Sequence, residues 1–350
     1  MKYISYFLKT KTNIMKKILN LIIISLILGI GLVYTGCNKD ESNPVGGTGG
    51  ITAIKTNGTI VQVSRTNVTG TLFVTDQNNN PISGITSSNV TAKLSWTTLN
   101  SPQADSVFGT VTVSPNQGSG KNVAGAITMD YSGSMGSEQI SCMQNGVKTY
   151  ISNMANNDQS EIIKFDHRVI VAQTFTNDKT LLNKAVDSVF SLGGSTALYQ
   201  SIFQGLNDVK NFNPSVDYIR CVVAFTDGGE NSSTINRNDM ISYALTNGLP
   251  VYTVGLYYYP YDTSSYDIWD LKNIADTTGG FFFGSLADSN CTSNLTNIYS
   301  KISGQIAGSY SLNIIWPGAN LPPTGTTVNC TITTTYSGHT SSFVKSYTIQ

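Results

Sequence analysis

The apolar run Ala124-Gly125-Ala126-Ile127-Thr128-Met129 leads straight into Asp130-Tyr131-Ser132-Gly133-Ser134-Met135, and this junction decides the fold. A short apolar run that stops at polar loop residues reads as a strand buried on both faces. The next stretch is helical. Ile140, Met143, Val147, Ile151 and Met154 recur at three- and four-residue spacing, which gives one buried stripe. Further strand-like runs occupy 160–165, 169–174, 218–225, 250–256 and 280–283, and Leu181 to Val189 repeats the helical habit. Strands alternating with helices predict a mostly parallel, doubly wound α/β sheet covered on both faces. The α/β segment, residues 123–306, has the size of one ordinary domain.

The flanks read differently. In residues 51–122, short alternating runs such as Thr71-Leu72-Phe73-Val74 stop at turn clusters such as Asp76-Gln77-Asn78-Asn79-Asn80-Pro81. Residues 307–350 show the same pattern, since Leu312, Ile314 and Trp316 alternate with polar neighbours, as do Val328, Cys330 and Ile332. Period-two alternation between Asn, Gly and Pro clusters predicts antiparallel β structure. Neither flank alone has enough apolar material for a core. The expectation is one β-sandwich with the α/β domain inserted into it, with two separate small modules as the alternative.

The N-terminus predicts where the chain goes. Lys16 and Lys17 precede the apolar run Ile18 to Val33, which ends at Tyr34-Thr35-Gly36-Cys37. A basic start, an apolar middle and a small residue at the cleavage point describe a secretory signal. Gly36-Cys37 resembles the end of a bacterial lipobox, although Tyr34 stands where Leu or Val is usual. That resemblance implies lipidation of Cys37 and membrane attachment through the N-terminal lipid. An uncleaved membrane anchor is the alternative, because the run is near the roughly 17-residue minimum for spanning. Residues 1–37 are thus read as a lipoprotein signal and residues 38–50 as a flexible tether. Asn38-Lys39-Asp40-Glu41 resembles a surface-export signal of Bacteroidota-type lipoproteins. The expected place is the bacterial cell envelope, as an outer-membrane lipoprotein with a route to the surface.

Open α/β sheets place their sites at the carboxyl ends of strands. Three such loops stand out. Asp130, Ser132 and Ser134 offer a carboxylate and two hydroxyls. Gly193-Gly194-Ser195-Thr196 offers a further hydroxyl ahead of a helix. Thr226-Asp227-Gly228 adds a second carboxylate after the run Val222 to Phe225. A lone Asp-x-Ser-x-Ser is as readily a turn with a helix cap. The set of three is more specific. It resembles the von Willebrand factor A family, whose metal-ion-dependent adhesion site uses these three loops. The resemblance covers roughly Val123 to Ile306, and Thr277-Thr278-Gly279-Gly280 fits it too. Gln200 departs from the Asp frequent in bacterial members, at a position that is not a metal ligand there.

The resemblance implies that Ser132, Ser134 and Thr196 contact a metal, with Asp130 and Asp227 binding it directly or through water. Hydroxyl and carboxylate oxygens are hard donors, which favours Mg²⁺ or Mn²⁺. Such an ion, poorly neutralised by its hosts, leaves a position for a carboxylate. The expected partner is therefore a protein presenting Asp or Glu. Tyr257, Tyr258, Tyr259 and Tyr261 come after another strand and would form a recognition loop on the same face, or cover the sheet edge.

Other classes are weaker. Lys plus Arg and Asp plus Glu number 21 each, so no basic field points to nucleic acid. The chain has only two histidines, His167 and His339, and neither neighbours a nucleophile in sequence. A metal-dependent hydrolase is thus the lesser alternative, beside a structural envelope protein with an unused site. An exported protein can carry disulfides, but the spacing of Cys142, Cys221, Cys291 and Cys330 chooses no pairing.

Overall fold

The computed structural model describes residues 50–97, 104–119, 121–257 and 265–350. Cys37, the tether up to residue 49, and Tyr258, Tyr259 and Tyr261 lie outside them.

The inserted α/β part is a six-stranded sheet of β5 (Val123–Asp130), β6 (Gln159–Phe165), β7 (Val169–Thr176), β8 (Ile219–Thr226), β9 (Val251–Tyr257) and β10 (Phe282–Leu286). Their order is β10-β9-β8-β5-β6-β7, parallel except for the edge strand β7, which forms a hairpin with β6. Every residue of β5 is buried, as expected of a strand covered on both faces. The covering helices are α1 (Ser137–Asn153), α2 (Lys179–Asp187), α3 (Leu198–Asn211), α4 (Arg237–Asn247), α5 (Tyr266–Thr278) and α6 (Cys291–Ala307). On one face Met143, Val147 and Ile151 of α1, Val186 of α2 and Leu295 and Ile302 of α6 pack on Ile127, Met129 and Val223. On the other, Ile202 and Leu206 of α3, Met240 of α4 and Leu271 of α5 pack on Ala126, Val222 and Ala224.

Two elements depart from their expected bounds for a reason visible in the structure. Helix α2 starts earlier than Leu181, because the Asp178 side chain accepts from the backbone N–H of Thr180 and Leu181. It also ends earlier: Val189, assigned to the helix from its apolarity, is 97 % exposed beyond the C-terminus. The last strand starts at Phe282 rather than Gly280, because Gly279 terminates α5 at φ +100°. A Cβ on Gly279 would meet the Gly58 carbonyl oxygen at 2.3 Å, so only glycine fits this junction.

The flanking strands are β1 (Ile54–Ser64), β2 (Asn67–Asp76), β3 (Val90–Thr97), β4 (Ala104–Pro115), β11 (Tyr310–Ile315), β12 (Thr327–Tyr336) and β13 (His339–Thr348). They form one antiparallel sheet ordered β1-β2-β11-β4-β3-β12-β13. It folds over on itself through β4, which pairs with β3 over Ala104 to Gly109 and with β11 over Thr110 to Pro115. At the crossing, a Cβ on Gly109 would lie 2.7 Å from the Trp316 ring, so the glycine makes room for that buried indole. The alternating residues Leu72, Leu94, Ile314, Trp316, Cys330 and Ile332 fill the interior. Pro115 and Tyr310 are register partners, and Asn116 N–H donates to the Ser309 carbonyl at 2.9 Å. The chain thus leaves the β half and re-enters it at adjacent points, which is what permits the insertion.

The two halves are fastened by specific contacts. Asn57 Nδ2 donates to the Gly280 carbonyl at 2.7 Å, and Lys345 Nζ donates to the carbonyls of Asp276 (2.9 Å) and Thr277 (2.6 Å). Those are orphan carbonyls of the α5 terminus, capped here from across the interface. Phe73 of β2 meets Tyr252 and Phe281 edge to face, with ring centroids 5.9 and 6.3 Å apart.

Candidate functional site

Strand β5 ends at Asp130, in register with Phe165 at the end of β6, while Met129 is in register with Phe225 near the end of β8. The Asp130 and Asp227 loops therefore start side by side, and the Thr196 loop, which follows α2, joins them through Asp166 at the end of β6, whose carbonyl accepts the Ala197 N–H at 2.7 Å. Asp130 is fully buried: Oδ1 accepts the Ser132 N–H at 2.7 Å and Oδ2 accepts the Thr226 hydroxyl at 2.6 Å. The first bond folds the loop back so that Ser132 Oγ lies 3.2 Å from Ser134 Oγ. Ser134 in turn hydrogen-bonds the Asp227 carboxylate. The second bond ties β8 to β5 and leaves Asp227, one residue on, beside the same group.

Thr196 is buried, its N–H donating to Asn231 Oδ1 at 2.8 Å and its carbonyl accepting from the N–H of Asn231 and Ser232. Glu230 locks the same junction, accepting the N–H of Ser232, Ser233 and Tyr199. Because Tyr199 is in the first turn of α3, this carboxylate also complements the positive end of that helix. The glycines before Thr196 rest on the first loop: Gly193 N–H donates to the Tyr131 carbonyl at 3.2 Å. A Cβ on Gly193 would strike Asp166 Oδ2 at 2.3 Å.

Asp130, Ser132, Ser134 and Asp227 are thus joined by direct interactions, while Asn231 fixes the Thr196 loop, which packs on the first loop through Gly193 and Gly194. Sequence reasoning named these five but missed the residues that hold them. Thr226 was quoted only as part of its loop, and Asn231, Glu230 and Asp166 carry no signal of their own, since the bond by which each supports the site is to a residue remote in the chain. Tyr257 ends β9 half-buried, with its hydroxyl against Gly284 on the neighbouring strand; that places it over the sheet edge. His167 sits exposed at the β6–β7 turn. His339 begins β13 and is partly covered, its Nε2 lying 3.1 Å from the Ile51 carbonyl.

The electrostatics are unusual. Burial, with the nearby Asp227 adding repulsion, pushes Asp130 up to about 7. Asp227 is also raised, by burial first and then by Asp267. Among the described residues no Lys, Arg or His pairs with either carboxylate. Nor is there a cluster of three or more His, Cys, Asp or Glu disposed to hold a metal. The donor set instead mixes two carboxylates with three hydroxyls. It suits a hard divalent cation, whose charge would offset two carboxylates that no basic side chain neutralises.

Comparison with known proteins agrees with this architecture. Residues 126–299 match the von Willebrand factor type A domain family, and this part of the chain is a von Willebrand factor type A domain. An uncharacterised protein of Borreliella burgdorferi is 25 % identical over 181 residues, covering 45 % of this chain. The match spans 52 % of that relative, so the chain corresponds to about half its length. Among solved structures, the conserved hypothetical protein BatB from Bacteroides thetaiotaomicron superposes with a TM-score of 0.42 at 18 % identity. That match covers 52 % of this chain and 98 % of BatB. Proximal thread matrix protein 1 of the mussel byssus, solved with a zinc-occupied adhesion-site motif, gives a TM-score of 0.45 at 19 % identity. There the coverage is 57 % of this chain and 49 % of that one.

Proposed function

We propose that this protein is a metal-dependent binding module of the bacterial cell envelope, which holds a partner's Asp or Glu side chain at a divalent cation. The observation that carries the reading is a buried carboxylate, Asp130, and a half-buried one, Asp227, which no basic side chain neutralises and which are linked with the hydroxyls of Ser132 and Ser134, with the Thr196 loop packed against the same loop. Asp130, Ser132, Ser134, Thr196 and Asp227 would hold Mg²⁺ or Mn²⁺, and the ion supplies an electrophilic position for an incoming carboxylate. The protein's own part is preorganisation. Thr226 and the Ser132 N–H orient Asp130, while Asn231 and Glu230 fix the Thr196 loop, so little ordering is left for the moment of binding. Attachment through a lipid on Cys37, with residues 38–50 as tether, would keep the module at the membrane. No catalytic group is assigned.

The test is thermal melting of the full chain with Mg²⁺, Mn²⁺ or Zn²⁺, beside Asp130→Ala. A ligand bound only by the native state stabilises it by RT ln(1 + [L]/Kd). A saturable rise in Tm that Asp130→Ala lacks is expected. Equal binding of an acidic peptide in EDTA and in magnesium would sink the metal-dependent reading.

A further inference from the structure

Cys142, Cys221, Cys291 and Cys330 are all buried thiols. Two of them meet. Cys142 lies in the second turn of α1 and Cys291 is the first residue of α6, and both belong to the core between these helices and the sheet. The Cys291 thiol hydrogen-bonds the Cys142 thiol, and the hydroxyl of the next residue, Thr292, donates to Cys142 Sγ at 3.7 Å. The helices stay close beyond this point. A Cβ added to Gly146 would lie 2.8 Å from the Tyr299 ring, and Thr149 Oγ1 donates to Thr296 Oγ1 at 3.5 Å. The other two thiols stand apart: Cys221 sits in β8 near the Tyr150 hydroxyl and Gly125, and Cys330 fills the β half.

We propose that Cys142 and Cys291 form a disulfide that fastens the first and last helices of the α/β domain to each other. Two cysteines far apart in sequence whose thiols already touch need only a small adjustment to bridge, and a chain exported as the proposed function has it meets oxidants. The reaction is exchange with a disulfide RSSR, either a small one such as oxidised glutathione or that of an exported oxidoreductase. One thiolate attacks RSSR and expels RS⁻; the second then attacks the mixed disulfide and expels the other RS⁻. One S–S bond forms, RSSR is reduced to two RSH, and the two cysteine protons end on them.

Timing is set by burial. Packing raises the Cys291 thiol well above its ordinary range, so in the folded chain it is a poor nucleophile. Burial of both thiols also keeps a disulfide reagent out of the closed core, so the exchange precedes the packing of α6 on α1, and the finished bond is shielded from reductants. Helix α1 starts directly after the Asp130–Met135 loop, so the bridge ties α6 to the element that anchors this loop. The enclosed segment also contains Thr196 and Asp227.

The experiment refolds the reduced, denatured full chain in a mixture of oxidised and reduced glutathione. It is then digested without reduction for mass spectrometry. The expected product is a Cys142–Cys291 linked peptide that disappears on reduction. Melting should show Tm about 5–10 °C higher without reductant than with it, since a long closed loop constrains the unfolded chain. Cys221→Ala should keep that difference and Cys291→Ala should lose it. The peptide map of the unaltered chain decides the matter even if Cys291→Ala does not fold. Alkylatable thiols at both positions after this treatment, or linkage of either to another cysteine, overturns the proposal. A linked pair without a Tm difference overturns the fastening role.

Discussion

The α/β half and the β half solve the problem of buried polarity in opposite ways. In the α/β half, Asp130, Glu161, Lys164, Asp166 and Asp270 are all buried. Among the described residues of the β half, only Asp76 and Lys345 are. Asp76 closes the β2 turn by accepting the N–H groups of Asn78 and Asn80, while Lys345 reaches out of its own sheet to cap α5. The β half therefore spends buried charge on turns and on the joint between the halves. The α/β half puts Asp130, Lys164 and Asp166 at or beside the carboxyl ends of β5 and β6, where parallel topology collects loops from distant parts of the chain, with Glu161 near the start of β6 and Asp270 in α5. Asp166 shows the cost being managed: its oxygens accept from the Arg168 N–H (2.6 Å) and from Nη2 (2.6 Å), and its carbonyl accepts the Ala197 N–H. Asp130 has no such cation. The difference teaches that one half is built chiefly to be stable and the other to hold charge in place.

That contrast can be broken most severely at Trp316, which is 1 % exposed at the fold-over of the β half. Trp316→Ala should lower stability by about 3–5 kcal/mol in urea unfolding, through the lost burial and the cavity left beside Gly109. If the halves are fastened as the interface contacts require, fluorescence and circular dichroism should still report one transition.

A middle-sized effect tests the joint itself. Lys345→Met keeps the apolar stem but strips the cap from the Asp276 and Thr277 carbonyls. The expected cost is about 1–3 kcal/mol, read as a lower urea midpoint. An unchanged midpoint would mean that the cap adds nothing to the joint.

The subtlest effect sharpens the claim that the α/β half tolerates buried charge. Burial, with Asp208 next to it, raises Glu161 to about 8 from an ordinary 4.5. Between roughly pH 4.5 and 8 the unfolded chain has released this proton while the folded chain keeps it. The stability contribution of this group is therefore greatest at acid pH and falls as pH rises across the window. Glu161→Gln cannot lose a proton, so its Tm should gain on that of the unaltered chain as pH is raised from 5 to 8. Parallel Tm curves would show that Glu161 ionises without penalty.

How much of this was legible in the sequence depended on the range of the interaction. Local pattern was enough for the β5-to-α1 junction, where an apolar run, a small polar loop and a 3.6-residue stripe are all encoded within about thirty residues. The five site residues were named because their loops are short and carry hydroxyls and carboxylates in recognisable order. Local pattern failed at Val189, whose apolarity suggested helix although Asp178 had already set the start of α2 earlier and Ser188 ends it.

By itself, then, the sequence determined the alternation of strands and helices, the antiparallel character of the flanks and the chemical type of the site, because these depend on neighbours and on side-chain identity. Tertiary structure alone decided that β4 crosses between the two layers of the β half, that Lys345 caps a helix of the other half, and that Thr226 and Asn231 support the site. It also decided that Cys142 lies against Cys291 rather than Cys221. Those outcomes rest on contacts between residues far apart in the chain, and only the packing of the whole core brings their atoms within bonding distance.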